Sequence, residues 1–320
     1  MTGFAAAGAV VQAVLVVAGA PVLTGLMRQI RARMEGRAGP GVLQPWRDLR
    51  KLLRRKESLT PRGTGQVFRT APVLLMATTL LVAVAAPFVT TASALPPAAD
   101  LFAVVALLAL GTVALALAGL DTGTAFGGMG ASREITVIAL VEPTLLVAIL
   151  ALSARAGSTD LAAIVSSTVD DPARVGSPVS LLAAVALAIV TVAETGRLPV
   201  DNPATHLELT MVHEAMVLEY AGPDLALVEL ASSMRLTVFL GLLANLFVPW
   251  GIATSASLPA LLAGAAAFAG KVGLLGAALA TAEVFFAKLR LFRVPELLAG
   301  SFLLALLAVA ASFVLPGGVS

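Results

Sequence analysis

The chain has 320 residues, of which 58% are hydrophobic and 12% are Asp, Glu, Lys or Arg, about half the charged share of an ordinary soluble domain. Uncharged stretches at 1–27, 70–99, 101–120, 175–193, 236–270 and 297–320 leave no room for a water-soluble globular protein when roughly 20 apolar residues make one membrane-spanning helix. The chain has no Cys and a net charge of +2, so any iron–sulfur or nickel chemistry belongs to other chains. The small positive balance acts through where the basic residues lie, with no nucleic acid implied.

The first expected span, about 4–27, has no positive residue ahead of it, and eleven of the 21 Lys and Arg fall between Arg28 and Arg62. A cleavable signal peptide has the reverse order, so the reading is a retained helix with its N-terminus outside. In the loop at 28–66, Pro45 suits a first helical position, with Trp46, Leu49, Leu52 and Leu53 on one face and Arg47, Arg50, Lys51, Arg54 and Arg55 largely on the other. This is an amphipathic helix on the inner surface, holding either lipid headgroups or a partner protein.

Seven more spans follow, at about 67–90, 101–120, 134–153, 178–195, 226–249, 258–282 and 297–315. The inner connections are then 28–66, 121–133, 196–225 and 283–296, which hold Arg133, Arg197, Lys288, Arg290 and Arg293 besides the basic first loop, against Arg155 and Arg174 outside. The positive-inside rule therefore places both termini outside and the functional loops in the cytoplasm of a multi-pass plasma-membrane protein. The runs lack the period-two alternation of a barrel, so the fold is all-α, a polytopic membrane protein of eight transmembrane helices. With no repeat or linker, 1–320 reads as a single domain, its one sizeable outer loop at 154–177.

The Gly-rich stretch DTGTAFGGMGASR at 121–133 lacks a phosphate-loop ending and reads as a tight turn that lets helices approach. Beyond it, Glu134 and Glu142 are about 12 Å apart along the fourth span and roughly 80° apart around it. Glu142 precedes Pro143, which frees the carbonyl of Ala139. A carboxyl at that depth points to function unless it is part of a structural ion pair; Arg235, Lys271, Glu229 and Glu283 supply buried charge of both signs on two further spans.

The segment 194–224 is the richest in polar groups. Asp201 or Asn202 can cap a helix beginning at Pro203 and ended by Gly222-Pro223. On that wheel Glu208 and Glu219 share a stripe about 16 Å long, while His206, Thr210 and His213 face nearly the opposite way. The two histidines lie about 10 Å apart along the axis, too far to chelate one metal unaided, so no metal site is expected. They remain candidates for relaying protons beside ordinary hydrogen-bonding roles.

The stretch ETGRLPVDNPATHLELTMVHEAMVLEYAGPDLALVEL, residues 194–230, resembles the signature of the complex I subunit 1 family. RARMEGRAGPGVLQPWRDLRKLL (31–53), GMGASREITVIALVEPTLL (128–146) and AKLRLFRVPELL (287–298) agree. The form NPATHLELTMVHEAMVLEY is similar to the branch found in membrane-bound nickel–iron hydrogenases and formate hydrogenlyase. The quinone-reducing branch has a longer insert where Gly41-Val42 here joins Gly-Pro to Leu-Gln-Pro. The resemblance implies a non-catalytic anchor with no cofactor of its own, contacting hydrogenase-like large and small subunits and iron–sulfur subunits that hold the nickel–iron site and clusters, beside antiporter-like membrane subunits. It implies a proton path through Glu134, Glu142, Glu194, Glu208, Glu219 and Glu229, with Arg197 and Asp201 holding the loop against the partner. Two rivals stand beside it: a quinone-binding complex I subunit, and an independent secondary transporter with 122–130 as a broken helix.

Overall fold

A computed structural model describes residues 2–54, 64–201, 212–286, 289 and 293–314. Eleven α-helices carry the fold: α1 Thr2–Met34, α2 Gln44–Arg54, α3 Gln66–Ala85, α4 Leu101–Asp121, α5 Ala125–Ala156, α6 Leu161–Asp170, α7 Pro178–Glu194, α8 His213–Val217, α9 Gly222–Phe247, α10 Leu258–Phe285 and α11 Val294–Val314. Among the described residues there is no strand, only the bridge pairs Thr90 with Ala253 and Asp100 with Asp160. Among the described residues seven helices are long and apolar enough to cross a membrane. The eighth expected span is α7, an apolar helix of 17 residues, at the short end of what a bilayer needs.

The helices alternate between two ends of the bundle. One end, here the loop end, carries α2, α8, the turn between α4 and α5, and the tip of α10, where Arg31 and Arg197 meet Glu283. The other carries the bridge pairs, α6 and the 248–257 turn. Side-chain caps fix the starts: Asp100 accepts from Phe102 N, Thr124 from Gly127 N, Ser177 from Ser180 N and Ser257 from Ala260 N, each satisfying an amide that the helix leaves open. Asp121, at the far end of α4, reaches the start of α3 and accepts from Gly65 N at 2.7 Å and Phe68 N at 3.1 Å.

At the centre stands α9, whose residues 233–242 are buried on every face because α1, α2, α3, α7 and α10 surround it, as expected of a helix apolar all round. Close approach depends on glycine at several contacts, of which two shape the loop end. A Cβ on Gly25 would lie 1.8 Å from Val42 O, so α1 admits the segment leading into α2 only without a side chain. At the loop end, a Cβ on Gly130 would lie 2.8 Å from that of Ala215.

Three expectations change. The Gly-rich 121–133 segment turns only at 122–124; from Ala125 it is already helix α5, its glycines serving contact with α4 and α8. Leu53 is 60% exposed, off the apolar face that buries Leu49. The helix expected from Pro203 to Tyr220 is not continuous: Val212 is non-helical, α8 ends at Val217, and Gly222-Pro223 opens α9 where the sequence reading ended a helix there. Proline at the first turn suits a start as well as it follows a stop.

Candidate functional site

A cavity of about 570 Å³ opens at the loop end between α1, α2, α4, α5, α7, α8 and α9, its walls including Arg28, Arg31, Glu134, Glu194, Arg197, Asp201, His213, Glu229 and Arg235. The site's anchor is Arg235, 5% exposed at the middle of α9. It is placed there by two acceptors and a ring: its Nη2 pairs with Glu194 Oε2 at the end of α7, its Nη1 donates to Leu108 O of α4 at 2.9 Å, and its guanidinium lies 5.7 Å from the centre of the Phe239 ring. Gly111 makes the room, since a Cβ there would sit 3.4 Å from Arg235 Nη1 and 2.7 Å from Thr78 Oγ1.

Around this cation gather more carboxylates than it neutralises. Glu134, 9% exposed, lies within electrostatic reach of Glu194, Arg235 and Asp201, and Glu142 within reach of Glu194 and Arg235. Both carboxylate oxygens of Glu142, and Oε1 of Glu194, are sealed from solvent without a hydrogen-bond partner among the described residues. A carboxylate in apolar surroundings tolerates this only by holding a proton or a water. The cluster thus holds more carboxyl groups than its one ion pair engages.

Outside the spans, burial pushes the His213 imidazole below its ordinary value, Asp201 opposing and Arg235 reinforcing. Its Nε2 lies 3.3 Å from Ser232 Oγ, and its backbone N–H donates to Asp201 Oδ2 at 3.4 Å. Arg197 is likewise lowered by burial, with Glu283 opposing. Glu283 is held by Arg31 at 3.2 Å and Arg197 at 3.7 Å, its side chain fully enclosed.

The structure thus brings Glu134, Glu142, Glu194, Asp201, His213 and Arg235 together, with Glu229 on the cavity wall. It separates two others. Glu283 belongs to the clamp with Arg31 and Arg197, and Lys271 lies near the opposite end, donating to Asn245 Oδ1 at 2.5 Å and Val248 O at 3.0 Å, where a cation suits a helix C-terminus. Glu219 sits in the turn after α8, off any shared helical stripe. Glu208, His206 and Arg55 fall outside the described residues. Arg47, Arg50, Lys51 and Arg54 are exposed on α2, while Pro45, Asp48, Leu49 and Leu52 of the same helix line the cavity. No three His, Asp or Glu among the described residues are grouped to hold a metal ion.

Sequence reasoning missed Tyr220, whose hydroxyl donates to Phe68 O at 2.8 Å and whose ring stacks on Phe68 at 4.1 Å. The available signal was Pro72: four residues after Phe68, it removes the amide that this carbonyl would otherwise accept from. Asn245 was also missed; it donates to Pro87 O and Phe88 O beyond the end of α3, both at 2.8 Å.

A sequence profile described as NADH dehydrogenase matches residues 7–314. Among curated relatives, hydrogenase-4 component C of Escherichia coli is 39% identical over 261 residues, 81% of each chain, and formate hydrogenlyase subunit 4 of the same organism is 38% identical over 75% of this chain and 77% of its own. NADH-quinone oxidoreductase subunit 8 of Rhodothermus marinus is 27% identical over 71% of this chain and 68% of its own. In fold the chain is similar to a chain of the membrane-bound sulfane sulfur reductase, an archaeal respiratory membrane complex, with a TM-score of 0.79 over 95% of this chain and 99% of that one at 22% identity.

Proposed function

The chain belongs to the NADH dehydrogenase family, that of complex I subunit 1, and from that premise we propose that it is the membrane subunit of a hydrogenase-type respiratory complex, anchoring a soluble redox arm and passing protons between that arm and the membrane. The names of the two relatives at 38–39% identity support the kind of complex. The proton role is carried by one observation: oxygens of Glu142 and Glu194 that are sealed and without a partner among the described residues lie within electrostatic reach of Arg235, which with Glu194 lines a charged cavity.

On this reading the hydrogenase-like large and small subunits and iron–sulfur subunits, with the nickel–iron site and clusters, dock at the loop end over the basic face of α2, and antiporter-like subunits lie alongside in the bilayer. The loop end faces the cytoplasm, as its excess of Lys and Arg favours. A quinone site in the same cavity is the second reading, supported by the quinone-oxidoreductase relatives. Against it stand walls carrying Arg28, Arg31, Asp201, Glu229 and Arg235, where a pocket for a quinone ring is mostly apolar.

Glu142→Gln in the intact complex is the test. Shape and one acceptor oxygen remain, so abundance in the membrane holds while hydrogen-linked proton movement in vesicles falls. Unchanged proton movement at normal abundance would overturn the proton role, and turnover that rises only with added quinone would establish the second reading.

A further inference from the structure

Adjoining the cavity and sharing part of its wall is a small recess of about 10 Å³, bordered by Glu134, Glu194, Asp201, His213, Gly196 and Val200. Its size matches about one water centre, and a buried water needs two to four polar partners, which the four ionisable side chains supply. One partner is already waiting: the Glu194 side chain is 1% exposed, its Oε2 is taken by Arg235, and its Oε1 has no partner among the described residues. His213, partly exposed, borders both the void and the large cavity, as do Glu134, Glu194, Gly196 and Asp201. On the cavity wall His213 is partly exposed, whereas Glu194 Oε1 is sealed from solvent.

We propose that one water occupies this void, hydrogen-bonded to Glu194 Oε1, and that His213 relays protons through it between the cavity and the Glu134–Glu194 pair. This rests on the proton role argued above and adds its entry point. The neutral imidazole takes a proton from hydronium in the cavity, leaving water. The imidazolium then gives a proton to the bound water, which passes one of its own to a carboxylate, and both imidazole and water are restored. Each transfer conserves charge, and Arg235 stays protonated throughout, holding Glu194 in place.

The charged and titratable groups facing His213 are Asp201 before the α8 segment, Glu134 of α5, Glu194 of α7 and Arg235 of α9, with Glu214 following it on α8. Ser232 of α9 holds the ring at 3.3 Å. Asp201 favours a transient imidazolium, whereas burial and Arg235 return it to neutral. A relay needs both tendencies.

The experiment uses the whole complex in membrane vesicles, comparing His213→Ala, His213→Asn and Glu142→Gln for abundance and hydrogen-linked proton movement. The expected result for both His213 variants is normal abundance with proton-linked turnover lowered on the order of a hundredfold, as for loss of a positioned acid–base group. Added imidazole restores part of the rate in His213→Ala, the restored rate following the basicity of methylated imidazoles, and guanidinium at equal concentration does not. Normal turnover in the His213 variants while Glu142→Gln loses it overturns the relay alone. Normal turnover in all three overturns the proton role on which it rests. Loss of both His213 variants from the membrane overturns the relay in favour of a structural role.

Discussion

Arg235 shows what a single buried charge demands of its surroundings. Its pair with Glu194 is closed to solvent, with side chains 7% and 1% exposed. Removing one partner leaves the other charge uncompensated, at a cost of about 3–5 kcal/mol. Arg235→Met therefore lowers the amount of folded subunit in detergent, measured by size-exclusion recovery after mild heating, and Arg235→Met with Glu194→Met recovers most of it. A double variant no better than the single one would mean that Leu108 O, and not Glu194, is the partner that matters. His213 supplies a pH dependence with a defined sign. Burial holds its imidazole below the ordinary value of 6.5, so the unfolded chain binds the proton more readily. Its contribution is present above about pH 6.5 and is lost as pH falls toward the folded value. The melting temperature of the detergent-solubilised subunit accordingly drops between pH 7 and 5, and the drop is smaller in His213→Asn.

At the scale of elements, the docking of α2 decides whether the cavity has a wall. Pro45, Asp48, Leu49 and Leu52 face inward while Arg47, Arg50, Lys51 and Arg54 face out, so one short helix serves the cavity with one side and presents positive charge with the other. Trp46 Nε1 donates to Ala18 O at 3.2 Å, fixing the helix against α1. The weak point is Gly25, where a methyl would collide with Val42 O. Gly25→Ala shifts α2 outward at a cost of about 1–3 kcal/mol, the usual range for overpacking. Since the chain has no Cys, a cysteine placed at Leu49 reports the shift: it is slow to react with a maleimide in the parent and fast beside Gly25→Ala. Equal rates would show that the α1–α2 contact relaxes without undocking.

For the whole molecule, alternation of the seven long apolar helices and the shorter α7 among the described residues puts Ser93 and Ser255 at one end and Arg37 at the other. Single cysteines at Ser93 and Ser255 should label from the same side of sealed vesicles with a membrane-impermeant reagent, and one at Arg37 only from the opposite side. Labelling of Ser255 from the side of Arg37, with Ser93 on the opposite side, would rule out α7, at 17 residues, as a crossing helix. The same architecture separates the two buried cations. Arg235 stands within the carboxylate cluster near the cavity, whereas Lys271 closes the end of α9 with Asn245 and Val248 O. The fully buried rings of Phe88, Phe239 and Phe268 lie in the apolar core of the bundle.

Composition alone determined the all-α membrane class, because lipid offers no partner for backbone amides and runs of this length can satisfy them only as helices. The family was equally legible, being written in contiguous motifs such as 194–230 and 128–146. Burial of Glu134, Glu142, Glu194 and Arg235 could be read from charges set within apolar runs. What the sequence left open was which charges meet. Glu283 and Lys271 resembled the others as intramembrane ions, yet helix rotation and packing turned Glu283 to Arg31 and Arg197 and Lys271 to a helix end. The apparent stripe along 203–221 assumed one continuous helix, and the break at Val212 removed that assumption, since a helical wheel holds only while the backbone remains helical. The void beside His213 lies in neither helix nor motif. It exists because α5, α7, α8 and the 196–201 turn leave one gap, and only tertiary packing determines where such a gap falls.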